Sequence, residues 1–379
     1  MDLLHSHCPV MSTILARSIR EVVDAPLVFT YHTKFDVDVA KLIRGRLLQE
    51  SALYVLASNI SACDEVWVVS RGAGENLRSI GYKGDYHVME NGVDMPRGRV
   101  SEEAVAAATA GYDLPEGVPV FMFVGRMMWY KGLRIIVDAL KLLQAGGQDF
   151  RMVFIGGGAD AAEVQEYAKP LGNKCIFTGA ISQRETLRAW YCRADLFLFP
   201  STYDTNGLVV REAAASDLAA VLIQGSCAAE GVTDGVDGFL IEENAGAMAS
   251  KLQEICKHPE CMAQVGRQAG ERLYLSWGDA VKRARERYGV VMENYRMGRY
   301  EDHHKPMDGV LNAQGTMMDA LARVRDLGDG LAERYREGWE EHKEEFEERR
   351  EERRGERRSI RSELKQKGEA LWQKLDRYL

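Results

Sequence analysis

The sequence predicts an α/β protein built mainly around one doubly wound parallel sheet. Three observations lead there. Short, almost wholly apolar segments recur at 120–124, 151–155, 175–178, 196–199, 220–223 and 239–241. Helix-patterned stretches near 132–145, 163–171, 184–192 and 208–216 separate them, and others follow near 245–257, 260–273 and 277–297. Strands that are apolar throughout, rather than alternating, are covered on both faces, as happens when helices return across a parallel sheet.

The preceding region carries a weaker version of the same pattern. Leu27-Val28-Phe29 leads into the polar run Thr30-Tyr31-His32-Thr33-Lys34, and one helix is expected from about 38 to 58. Val66-Trp67-Val68-Val69 reads as a short buried strand, with Ser70 as the cap of the next helix. Asn91-Gly92-Val93-Asp94 is a turn signature, and a polar, alanine-rich connector follows to about Pro119. Beyond about residue 300, Met317, Leu321, Val324, Leu331, Tyr335, Trp339 and Phe346 lie along one helical stripe, and 347–358 is almost pure charge. The expected organisation is therefore 1–98, a partial first domain; 99–298, a complete second domain with a final crossover helix; and 299–379, a charged helical extension that is exposed or self-associating.

Bulk properties narrow the function classes. With 379 residues, 46% hydrophobic and 28% charged, the chain is long enough for two globular units. No apolar run approaches the ~20 residues of a membrane helix, and residues 1–20 lack a secretory pattern. Seven cysteines without a C-x-x-C pair read as reduced thiols, so a cytoplasmic protein is expected. A net charge of −8 argues against nucleic acid, and any phosphate ligand must be held by local cations and backbone amides.

Two strand ends carry the chemistry. Segment 120–124 runs into Gly125-Arg126, with Lys131-Gly132 opening the next helix. Segment 196–199 runs into Pro200-Ser201-Thr202-Tyr203-Asp204-Thr205-Asn206-Gly207, after which a helix starts near Leu208 and carries Glu212. Ligands of open α/β sheets sit outside the carboxyl ends of the strands, so both clusters are expected to face one crevice. The residue types suit a sugar diphosphate. Arg126 is a forked donor and Lys131 a point charge. Gly207 permits close backbone approach, and the free amides at Leu208 add an anion site. Asp204 would face the hexose and Glu212 the ribose hydroxyls, with Gly125, Thr205 and Asn206 completing the binding set.

At this point the sequence resembles the retaining glycosyltransferases of GT-B fold, of the group 1 and family 4-like kind. Their pattern G-R-x(n)-K-G, then P-S-x-x-E-x-x-G-L-x-x-x-E-A, is met by Gly125-Arg126, Lys131-Gly132, Pro200-Ser201, Asp204, Gly207-Leu208 and Glu212-Ala213. His5-Ser6-His7, Tyr31-His32-Thr33, Asn91-Gly92-Val93-Asp94, Phe177-Thr178-Gly179 and Ser276-Trp277 also match, so the resemblance covers about 1–298. It implies two Rossmann-like domains. It also implies transfer of a hexose from a UDP- or GDP-sugar with retention, with Arg126, Lys131, His32 and Asp204 as the catalytic groups and His7 beside the sugar. Two departures stand out. Asp217 replaces a tight-turn glycine, which predicts strain or a shifted loop. The family's opening strand and glycine-rich loop are not met before Asp2-Leu3-Leu4-His5, so the first domain is expected to be incomplete here.

The blander readings are set beside these. Gly156-Gly157-Gly158-Ala159-Asp160-Ala161 fits a dinucleotide fingerprint, yet no acidic residue occurs between Leu171 and Arg184, so a structural turn is expected. Asp195 is read as a cap of the helix or loop before it. Lys41, Arg44 and Arg46 among Leu42, Ile43, Leu47 and Leu48 suit either an ordinary amphipathic helix or docking on anionic lipid. No D-x-D motif lies beside the two strand-end loops, so no metal cofactor is expected. The acceptor favoured is a membrane lipid of diacylglycerol or polyprenyl type at an inner membrane face. A catalytically impaired scaffold that binds the nucleotide sugar, or a nucleotide-sugar epimerase, are the other readings.

Overall fold

A computed structural model describes residues 1–300. Two parallel sheets organise them. The first is made by β1 (Leu4–Ser6), β2 (Leu27–Tyr31), β3 (Glu65–Val68) and β4 (His87–Val88), which pair in that order. The helices that return across it are α1 (Met11–Val23), α2 (Phe35–Leu42), α3 (Arg46–Ser61) and α4 (Arg71–Ser79). The single helix expected over 38–58 is thus two helices. Gly45 takes φ 103°, a left-handed backbone that ends one helical run, and the apolar stripe resumes on the far side. Ser70 caps α4 as expected, its Oγ accepting from the Ala73 N–H at 3.0 Å.

After a short helix α5 (Glu102–Ala108), the second sheet follows. Its strands are β5 (Val120–Val124), β6 (Arg151–Ile155), β7 (Cys175–Gly179), β8 (Leu196–Phe199), β9 (Ala220–Ile223) and β10 (Phe239–Ile241). They are covered by α6 (Leu133–Ala145), α7 (Ala161–Ala168), α8 (Arg184–Arg193), α9 (Leu208–Ala215), α10 (Ala245–Cys256) and α11 (Pro259–Arg272). Every residue of β5, β6, β8 and β9 is buried, which is why these strands read as continuous apolar runs. The strand order β10-β9-β8-β5-β6-β7 reverses direction between β5 and β8, where helices leave toward opposite faces and open a crevice.

Both sheets start their central strand with the same device. Asp64, just before β3, accepts from the Leu27 N–H at 2.7 Å, and Asp195, just before β8, accepts from the Val120 N–H at 2.8 Å. Each aspartate satisfies the first N–H of the neighbouring strand, a donor that burial would otherwise leave unpaired. Asp195 therefore serves β5 rather than the helix before it.

The final described helix, α12 (Trp277–Arg296), crosses back to the first sheet. Val93 bridges to Ser276, and a Cβ on Gly92 would collide with the Ser276 backbone, so glycine is required where the two segments meet. Val291 packs against Val28 and Trp67, and Tyr288 stacks on Trp67 at 5.1 Å. Arg287 clamps Glu65 with two bonds of 2.8 and 2.7 Å. Asp217, at the replaced glycine, takes φ 54°, the left-handed backbone a glycine would adopt more cheaply. Its neighbours on α11 are Gly266 and Gly270, where a Cβ would strike the Asp217 carbonyl and carboxylate respectively. The helical stripe expected beyond residue 300 lies outside the described residues. Among the described residues no helix is long and apolar enough to cross a membrane.

Candidate active site

The site begins with backbone packing at the switch point. Gly132 has φ 77°, and a Cβ there would run into the Pro200 carbonyl oxygen. The loop after β5 can therefore lie directly against the loop after β8. A Cβ on Gly156 would hit the Gly125 oxygen, and one on Gly158 the Met127 backbone. Gly156 and Gly158 thus seat the β6 loop on the β5 loop, a structural use of that spacing.

This packing delivers Lys131 to Asp204. The Lys131 ammonium lies 2.6 Å from Asp204 Oδ1, and Ser201 Oγ donates to Asp204 Oδ2 at 2.5 Å. Lys131 is nearly buried, with 9% of its side chain exposed against 23% for Asp204, so the pair is only slightly screened by water. The rings of Tyr130, Phe199 and Tyr203 stand 5.8, 5.9 and 5.8 Å from the ammonium, within cation–π range. Arg126 is exposed and makes no side-chain hydrogen bond or ion pair among the described residues. Burial raises the Tyr203 hydroxyl above its ordinary value, and the Arg126 charge pulls it the other way, placing that guanidinium near the same ring.

Gly207, at φ 60°, caps α9, and the Val210 N–H bonds back to its carbonyl at 2.8 Å. The amides of Leu208 and Val209 stand at the open end of that helix, where intrahelical acceptors do not exist. Four residues into α9, Glu212 Oε2 accepts from the buried Tyr191 hydroxyl of α8 at 3.0 Å. Burial raises the Glu212 carboxyl above its ordinary value, opposed by the Tyr191 bond and the Arg184 charge. The other oxygen remains available to a hydroxyl donor.

The first sheet contributes histidines. His7 Nδ1 and His32 Nε2 share a hydrogen bond of 2.9 Å, and the His5 ring lies 4.2 Å from that of His7. His5 is fixed on both sides, 2.7 Å from Thr30 Oγ1 and 2.5 Å from the Tyr288 hydroxyl of α12. Burial, followed by the neighbouring imidazoles, pushes His5 down to about 3 and His32 down to about 4; burial lowers His7 as well. The cluster is a neutral one near pH 7, suited to exchanging hydrogen bonds with hydroxyls.

The loop carrying Asp204 also ties the two sheets together. Thr205 Oγ1 donates to the His32 carbonyl at 2.7 Å, Asn206 Nδ2 to the Val69 carbonyl at 2.7 Å, and Ser70 Oγ to the Thr205 carbonyl at 2.6 Å. Lys34 donates to the Thr202 carbonyl at 2.9 Å. Of the sequence-derived set, Lys131, Asp204, Gly125, Gly207, Leu208 and Glu212 thus surround the switch point, with Arg126 beside it. His7 and His32 form one pair on the first sheet. Thr205 and Asn206 spend their side chains on that sheet's backbone.

The Glycosyl transferases group 1 family matches residues 118–258, and Glycosyltransferase Family 4 matches residues 1–97. The chain belongs to the GT-B glycosyltransferases.

Relatives of this chain include the D-inositol 3-phosphate glycosyltransferase of Streptomyces avermitilis, 27% identical over 80% of this chain and 68% of the relative. The D-inositol 3-phosphate glycosyltransferase of Xylanimonas cellulosilytica is 28% identical over 58% of this chain and 55% of its own length. The alpha-monoglucosyldiacylglycerol synthase of Streptococcus pneumoniae is 23% identical over 57% of this chain. This chain spans only 55% and 50% of the Xylanimonas and Streptococcus proteins respectively. In three dimensions it resembles Anabaena Alr3699/HepE in complex with UDP and glucose, with TM-score 0.63, 18% identity and 76% and 77% of the two chains covered. Sucrose-phosphate synthase from Thermosynechococcus elongatus gives TM-score 0.61 at 25% identity, covering 76% and 73%. The fold of two parallel sheets is that of the GT-B enzymes.

Several residues of the candidate site are not marked by the sequence. Only the fold brings Tyr191 and Tyr203 to Glu212 and Lys131. His5 was read as part of a motif, without its bond to Tyr288. Asp36-Val37-Asp38 on α2 is a D-x-D spacing that reaches the cleft from the first sheet. Tyr203 donates to Asp38 Oδ1 at 3.4 Å, and Asn76 to Asp36 Oδ1 at 3.1 Å. Two positions along a helix point to different faces, so the pair is poorly placed to chelate together. No group of three ligand-type side chains that could hold a metal occurs among the described residues.

Proposed function

We propose that the chain moves a hexose from a nucleotide-diphosphate sugar to an acceptor hydroxyl with retention at the anomeric carbon. The observation that carries this reading is the meeting of Lys131 and Asp204 at the switch point, 2.6 Å apart, beside the open amides of α9. The ammonium and amides suit a diphosphate, while Asp204 and Glu212 suit hydroxyls at either end of it. A structural relative described with UDP and glucose supports a UDP-sugar. In the reaction, the acceptor oxygen bonds to the anomeric carbon from the face the diphosphate leaves. The carbon–oxygen bond to the diphosphate breaks, and the acceptor proton passes to the departing phosphate oxygen. Lys131, Arg126 and the amides stabilise the charge that develops there; preorganised donors of this type contribute ~10²–10³ in rate each. His7 and His32 would orient the hexose. No metal is required by this scheme, and the acceptor favoured is a lipid hydroxyl, as the Streptococcus relative's name supports.

A panel of UDP- and GDP-sugars, each with diacylglycerol vesicles or soluble acceptors, tests the reading through product identification. A glycosylated acceptor whose new bond keeps the donor's anomeric configuration is expected. An epimerised donor formed without acceptor, or unchanged donor affinity in both Arg126→Ala and Glu212→Ala, would sink it.

A further inference from the structure

Helix α9 carries the open amides and Glu212, yet it does little to place itself. It has 8 residues, and Gly207 before it supplies no side-chain cap. Two turns of helix are unstable alone in water, so tertiary anchors decide where those groups stand. Tyr191 anchors one side through its bond to Glu212. The Gly98 N–H anchors the last turn, donating to the Ala215 carbonyl at 2.8 Å. A third anchor is Arg211, next to Glu212 in sequence and about 100° around the helix from it.

The chain passes between the sheets after β4 and again between α11 and α12, and Arg211 grips both crossings. Its guanidinium donates to Glu90 Oε1 on the first, and to the Leu273 carbonyl on the second at 2.9 Å. Arg283 of α12 gives Glu90 a longer ion pair of 3.6 Å. The crossings are bonded to each other close by. The Val93 N–H donates to the Leu275 carbonyl at 2.9 Å, and the Trp277 N–H to the Val93 carbonyl at 3.2 Å. Glu90 is continuous with the first sheet, since the Met89 N–H donates to the Val68 carbonyl at the end of β3 at 2.8 Å. The Arg211 side chain is 14% exposed, so water and salt screen its charge little. A planar fork meets a carboxylate and a carbonyl together, which the point charge of a lysine does less well.

We propose that Arg211 is a positioning residue for donor binding. By fixing α9 to both crossings, it holds the Leu208 amide and Glu212 at the places a diphosphate and a ribose require before the nucleotide arrives. Preorganisation of this kind strengthens binding, because the ligand no longer has to order the helix. The proposal deepens the transferase reading and rests on it for the identity of the ligand at α9.

The test uses the full chain with UDP and UDP-glucose. Arg211→Met keeps the aliphatic stem and Glu90→Gln keeps an acceptor, so both variants should fold. Each is expected to raise the Kd for UDP and the KM for UDP-glucose about tenfold. The double variant should be no worse than either single one, since both remove the same interaction. Arg211→Lys should recover part of the loss. Hydrogen exchange read by mass spectrometry supplies the signature of positioning. Without ligand, the amides of 208–216 should exchange faster in Arg211→Met than in wild type, and UDP should slow them more in the variant. An arginine that only stabilises the fold lowers the denaturation midpoint and leaves UDP affinity and the effect of UDP on exchange unmoved. That result overturns the proposal, as do losses that add in the double variant. UDP binding weakened as expected, without transfer to any acceptor, keeps the role of Arg211 and overturns the transferase reading. A wild-type chain that binds neither UDP nor GDP overturns both.

Discussion

Lys131 and Asp204 form an ion pair of 2.6 Å across two loops that come from adjacent parallel strands. The pair is held in a ring of three aromatic side chains that fits a compact ammonium. Lys131→Ala is expected to lower kcat by ~10²–10³, since it removes the positive charge nearest the expected leaving group. Lys131→Arg is expected to recover little, because a planar fork does not fit the volume of a point charge. Steady-state kinetics with the preferred donor decide this, and near-wild-type turnover in Lys131→Ala would remove the lysine from the mechanism.

Glu212 gives a separable effect. Its amide analogue still accepts from the Tyr191 hydroxyl, so Glu212→Gln should fold normally while binding a ribose hydroxyl more weakly. The expected result is a donor KM raised about tenfold with kcat changed much less, the signature of lost ground-state binding. Tyr191→Phe should shift donor KM in the same direction by a smaller factor. Calorimetric titration with the free nucleotide checks both.

The histidine cluster predicts an acid-sensitive fold. His5 is held down to about 3 and His32 to about 4, against 6.5 as the ordinary value. The unfolded chain therefore binds more protons between those limits, and stability falls as pH drops below about 6.5. The neutral-state stabilisation is fully present above pH 6.5 and declines toward the folded values. For His5 the loss is on the order of 2 kcal/mol by pH 4.5; His32, lowered less, contributes less. Denaturant unfolding across pH 4.5–7.5 should show this slope, and His5→Gln should flatten it. An identical slope in His5→Gln would exclude the cluster as its source.

Backbone packing at the switch point predicts severe effects from very small changes. Gly132→Ala meets the Pro200 carbonyl and an unfavourable φ together, and Gly156→Ala meets the Gly125 carbonyl. Each should destabilise by about 2–4 kcal/mol, measured from denaturant midpoints. Gly157→Ala, with nothing near its would-be Cβ, is the control and should be close to neutral.

The second sheet was legible because burial on both faces leaves an unbroken apolar signature in each strand. Lys131, Asp204, Gly207 and Glu212 were legible because two chain turns at strand ends bring their chemistry together in sequence order. What stayed hidden depends on long-range contact. Tyr288 meets His5 across 283 positions, a partnership set by where α12 returns and by nothing local. Thr205 and Asn206 looked like ligand groups, yet adjacent carbonyls of the first sheet claim them. The paired roles of Asp64 and Asp195 were available in principle. Cys63-Asp64 and Ala194-Asp195 each stand just before an apolar strand, and the acid in that position marks the start of the neighbouring strand.

The stretch from Thr202 to Asn206 both presents Asp204 and fastens one sheet to the other. On the proposed function, widening the gap to release a spent nucleotide strains the same few peptide units that aim the Asp204 carboxylate at the sugar. Departure and alignment are mechanically one event, so a substitution that loosens this seam, such as Thr205→Ala, trades residence time against accuracy of aim.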